Sequence, residues 1–155
     1  MTCTQQHLPL NLRTSRPLVP LDAVMCLLEK TEDEALFLVE SGALPVAFNL
    51  ASEGSRKRQL AVWRVCFWEY KSSGFSADRE TGEALADIVP GHRAEFRLRE
   101  VTMMLSAKAD HVRDLVAQGS LVVQGLRPVP AMGPKSSPYI TRTSILKFLT
   151  DRRIA

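Results

Sequence analysis

Apolar and polar positions follow a pattern along this chain that occurs twice. Val24, Leu27 and Leu28 fall at i, i+3 and i+4, and so do Val101, Met104 and Leu105. That spacing predicts a helix with one buried face. A second helix follows in each case, with Ala35, Leu38 and Val39 or Val112, Leu115 and Val116 inward. Each helix pair is entered by a short extended run, Val19-Pro20-Leu21 or Phe96-Arg97-Leu98. It is left through a β-like run (43–50; 121–126), a polar excursion, a short strand (60–62; 139–140) and a closing helix (about 64–71; about 143–152). Thr31 and Glu34 have capping-box spacing, which starts the second helix of the first copy at Thr31. Gly42 and Gly119 stand where that helix should end in a left-handed residue.

The two copies superpose without a gap from Val19–Val46 onto Phe96–Val123, an offset of 77. Leu21 falls on Leu98, Leu28 on Leu105, Asp33 on Asp110 and Gly42 on Gly119. After a loop one residue longer in the second copy, Val62–Tyr70 falls on Ile140–Phe148. So long a period indicates two copies of one small unit rather than a stacked array. Helix, turn, helix, two-stranded wing, helix is a winged helix-turn-helix order. The expected fold is mainly α with short β wings (α+β): two tandem winged helix-turn-helix domains, at 18–73 and 95–155. A flexible arm at 1–17 precedes them. The linker at 74–94 holds Gly74, Gly82, Pro90 and Gly91, with one short helix near 81–88, and reads as a spacer with little structure of its own.

Composition narrows the class. Apolar residues are 45% and charged residues 24% of the 155, the profile of a folded soluble protein. No apolar run reaches membrane-spanning length and no signal peptide opens the chain, so a cytoplasmic location without membrane contact is expected. Cys26 and Cys66 lie in apolar patterns and read as buried thiols. His7, His92 and His111 are scattered, and no zinc, redox or phosphate-loop motif is present. Neither an enzyme, a cofactor nor a metal is expected. Charge is uneven: segment 18–74 has six basic and eight acidic residues, whereas 92–155 has eleven basic and five acidic. An anionic partner should therefore meet the second copy first.

The run Leu98-Arg-Glu-Val-x-x-x-Leu-Ser-Ala-x-x-x-x-Val-x-x-Leu-Val-x-x-Gly-x-Leu121 resembles the winged-helix domain of excisionases and MerR-like regulators. The phrases Leu115-Val116-Ala-Gln-Gly119-Ser-Leu121 and Leu38-Val39-Glu-Ser-Gly42-Ala-Leu44 carry the resemblance in both copies. It implies a sequence-specific double-stranded DNA-binding protein associated with the nucleoid. A transcriptional regulator or an excisionase-like architectural factor is the expectation. The second helix would enter the major groove and the wing would hold phosphates. In the second copy Lys108, His111 and Arg113 would lie at that helix, with Lys135 and Ser136 on the wing and Arg127 and Arg142 at its base.

The first copy departs from this pattern. Its wing, Arg56-Lys57-Arg58, is basic, but its second helix opens Thr31-Glu-Asp-Glu34. Three carboxylates oppose a phosphate lattice. The alternative is a protein-interaction or assembly module on a winged-helix frame, with DNA binding lost or confined to the second domain. Trp63, Phe67, Trp68 and Tyr70, bunched at the closing helix of the first copy, are the candidate face for a homodimer or another protein partner. They also suit core packing.

Overall fold

Thr31 forms the capping box that its spacing from Glu34 predicts. The Thr31 hydroxyl oxygen accepts from the Glu34 amide (3.3 Å), and a Glu34 carboxylate oxygen accepts from the Thr31 amide (2.8 Å). The helix so opened, α2, spans Glu32–Glu40; β1 (Leu18–Pro20) and α1 (Leu21–Leu28) precede it. The backbone hydrogen bond from Thr31 holds the Glu34 carboxyl below its ordinary range. Its folded value thus lies below the unfolded one. The capping contribution is present above the unfolded pKa and fades as pH falls through the folded value. Thr31→Ala is expected to cost about 1 kcal/mol at neutral pH, read as a lower urea midpoint at unchanged slope.

This computed structural model describes residues 16–123 and 139–154. After α2 come β2 (Ala47–Asn49), β3 (Leu60–Trp63), α3 (Arg64–Ser73) and α4 (Thr81–Ile88). Then β4 (Glu95–Arg97), α5 (Leu98–Leu105), α6 (Ala109–Ala117), β5 (Tyr139–Thr141) and α7 (Arg142–Asp151) follow. The class is mixed α and β, with small antiparallel sheets. β1, α1 and α2 recur as β4, α5 and α6 at the offset read from the sequence, and α3 recurs as α7 one residue later. Even the inter-helix turns agree: Glu29 and Ser106, equivalent positions, both take left-handed backbone (φ 52° and 49°). Gly42 and Gly119 do the same after α2 and α6 (φ 82° and 80°), where a side chain would be strained.

The first sheet runs β1-β3-β2, all antiparallel, with Val19 and Ala47 both opposite Val62. In the second, β4 pairs β5 with Phe96 opposite Ile140, and Val123 bridges Ile140 from the other side. The halves share one hydrophobic core, in which Val24, Val39, Phe48 and Phe67 join Phe96, Leu105, Leu115 and Ile145. Two devices help to hold them together. One is the C-terminal tail: Arg153 bridges Phe48 on the open edge of β2, the Asn49 amide donates to Arg152 O and the Ile154 amide donates to Ala47 O (2.8 and 2.9 Å).

The other device is the connector, which is far from a bare spacer. Its helix α4 buries Ala84 and Ile88, with Val89 following, in the shared core. Asp87 on α4 accepts from the Trp63 indole N–H (2.8 Å) and from Arg64 Nη2 (2.7 Å). The helix lies where a short one is expected, near 81–88, but eight residues give no sign of what its apolar stripe covers. Trp63 and Phe67 are buried in this same core, so the chain itself occupies half of the aromatic set expected to meet a partner. Trp68 remains 43% exposed and Tyr70 half-buried. Cys66 is a buried thiol pushed above its ordinary pKa by desolvation. No helix among the described residues is long and apolar enough to cross a membrane.

Candidate nucleic-acid interface

The turn before α6 docks on the first half, and this brings distant cations together. Ser106 Oγ donates to Leu18 O (2.6 Å), fixing the start of the helix against β1. Within the first turn of α6, His111 Nε2 sits 2.6 Å from Leu50 O, at the base of the β2–β3 loop where the first wing is expected. At the far end of the helix, Gln118 Oε1 accepts from the Glu53 amide (3.1 Å). One flank of α6 therefore lies along the wing between β2 and β3. Lys57, Arg58, Lys108 and His111 consequently line a single groove of about 640 Å³, together with Asp22 and Glu32.

Lys108 is the N-cap of α6, so the first amides of that helix add their partial positive charge beside its ammonium. Arg56 and Lys57 are exposed on the wing, and Lys57 is tied through its amide to Ser55 Oγ (3.3 Å). Arg58 is partly committed: its Nη1 reaches Glu40 on α2 at 3.2 Å, both side chains being mostly exposed. Such a pair contributes little to stability and can be exchanged for another anion. His111 differs, because its imidazole is half-buried and already held by a backbone carbonyl. No family model, curated protein or solved structure matches this chain.

The remaining expected contacts are dispersed. Arg113 is exposed on α6, but its Nη1 is paired with Asp110 one turn back at 2.9 Å. Asp114, next along the helix, is exposed as well. The outward face of α6 therefore balances Lys108 and Arg113 against Asp110 and Asp114. Asp114 offsets the cations expected to read DNA, and a helix wheel carrying every charge of α6 shows it. Arg142 is half-buried, with its guanidinium against the connector near Gly91 rather than in the groove. Arg127, Lys135 and Ser136 lie outside the described residues. No set of three or more His, Cys, Asp or Glu side chains is arranged to hold a metal among the described residues.

Proposed function

We propose that this chain is a double-stranded DNA-binding protein on two tandem winged-helix frames, a regulator or architectural factor rather than an enzyme. Its grip on the duplex comes from one cationic edge that both halves build. The observation that carries this reading is the convergence of Lys57 and Arg58 with Lys108 on one groove, although the wing and α6 are far apart in sequence. The recurrence of β1, α1, α2, β3 and α3 as β4, α5, α6, β5 and α7, with the Val123 bridge in the place of β2, supports the frame. Lys57 and Arg56 would hold phosphate oxygens at the wing, and Lys108 with the α6 amides would hold a second phosphate. Base reading falls to few side chains, because α6 presents as many carboxylates outward as cations.

Salt dependence tests this directly. Each phosphate contact contributes roughly 0.9 to the slope of log K against log salt. Replacing Arg56, Lys57 and Lys108 with Ala should lower that slope by about 2 to 3 and weaken binding to a random duplex by tenfold or more. Fluorescence anisotropy across a salt series reads both quantities. An unchanged slope would remove the groove from the interface. A second reading, an interaction module without DNA binding, is favoured by the carboxylates of α2 and α6. Under it, no duplex would be shifted even at low salt.

A further inference from the structure

Helix α2 has a second apolar stripe that the fold does not use. Asp33, Leu36, Phe37 and Glu40 stand at i, i+3, i+4 and i+7 on its outer side. The inner side is complete without them, Ala35 and Val39 being fully buried. Phe37, by contrast, is 67% exposed and Leu36 half-buried. The duplicated half gives an internal control. At the positions equivalent to Leu36 and Phe37, α6 carries Arg113 and Asp114, so the frame tolerates a fully polar surface there. Single exposed apolar residues are ordinary on any protein. An adjacent apolar pair ringed by charge of one sign is less so.

That ring is acidic. Glu32, Asp33, Glu34 and Glu40 are all exposed around Leu36 and Phe37. Glu34 is engaged at the cap and Glu40 by Arg58, whereas Glu32 and Asp33 make no ion pair among the described residues. A phosphate backbone or an anionic lipid surface would be repelled from this face. Arg58, whose guanidinium approaches from the wing and meets Glu40 at 3.2 Å, shows how an arriving cation is received. The geometry points to α2 as a docking helix for a cationic protein segment that presents an apolar side chain between basic ones. Phe37 and Leu36 bury the apolar group and Asp33 with Glu32 meets the flanking charge. This face shares Glu32 with the groove, whereas Asp33, Leu36 and Phe37 lie outside it.

Selection of displayed random peptides against the intact chain at low salt tests it. The expected pool is enriched in Lys and Arg on either side of an aromatic or aliphatic residue. A synthetic copy of the leading peptide should shift the amide resonances of residues 32–41. Its affinity should fall by about tenfold in Phe37→Ser, the size of effect expected for a central apolar anchor. Asp33→Asn should instead flatten its salt dependence. Both substituted positions are exposed, and circular dichroism checks that each variant keeps its fold. The Arg56, Lys57 and Lys108 triple-Ala variant should bind the peptide as the parent does, separating this face from the groove. Peptides without basic enrichment, or equal binding to Phe37→Ser, would overturn the assignment. So would a dimer in sedimentation that Phe37→Ser abolishes, or a duplex that shifts the resonances of Leu36 and Phe37.

Discussion

Phe48→Ala should lower the stability of both halves together, by about 3 to 5 kcal/mol. Phe48 is fully buried on β2, and its backbone bridges Arg153 of the C-terminal tail. Removing the ring leaves a cavity inside a core to which both halves contribute. The backbone that carries it is also the seam that joins them, so relaxation on one side disturbs the other. Two probes distinguish shared from separate unfolding. Tryptophan emission reports the first half, where Trp63 and Trp68 lie. Hydrogen exchange at Leu115 and Ile145 reports the second. In the parent and in the variant the two should change at one urea concentration, with the midpoint moved down for both. Two resolved transitions would show that the halves unfold independently, contrary to a continuous core.

The second large effect is expected at Asp87. Its carboxylate accepts from the Trp63 indole N–H at 2.8 Å and from Arg64 at 2.7 and 3.1 Å. Trp63 is almost wholly buried, so its N–H has little access to water as a substitute acceptor. Asp87→Ala should cost about 2 to 4 kcal/mol, more than the loss of an exposed ion pair, because a buried donor is left unmet. Asp87→Asn keeps a carbonyl oxygen for the indole and should recover part of the loss. Urea denaturation gives the free energies, and a red shift of the Trp63 emission would report loosening of α4. If Asp87→Ala stayed within about half a kcal/mol of the parent, α4 would not be a structural bracket.

Much of this architecture is legible from local signals. The spacing of Val24, Leu27 and Leu28 and its recurrence at Val101, Met104 and Leu105 placed the helices, because helix period depends only on near neighbours. Thr31 with Glu34 marked a helix start, and Gly42 and Gly119 marked helix ends, through chemistry confined to one turn. What joins the halves was not legible. Asp87 and Trp63 are separated by α3 and the first part of the connector, and no periodicity links an aspartate to a distant indole. His111 illustrates the same limit at the site. A histidine at the start of a predicted reading helix suits a DNA contact, yet it sits against Leu50 O because α6 packs along the neighbouring wing. The convergence of Lys57 with Lys108 was hidden for the same reason: it depends on how one half rests on the other.

The closing of the β2 edge by residues near the end of the chain has a consequence for biosynthesis. Pro45 and Arg153, which meet there, are 108 positions apart. A ribosome therefore exposes the first sheet well before the segment that completes it has been made. Throughout that interval the free amide of Asn49 and carbonyl of Ala47 offer a template to any extended peptide nearby. Slow translation of the last helix would prolong this vulnerable period, and a chaperone that shields strand edges would shorten it.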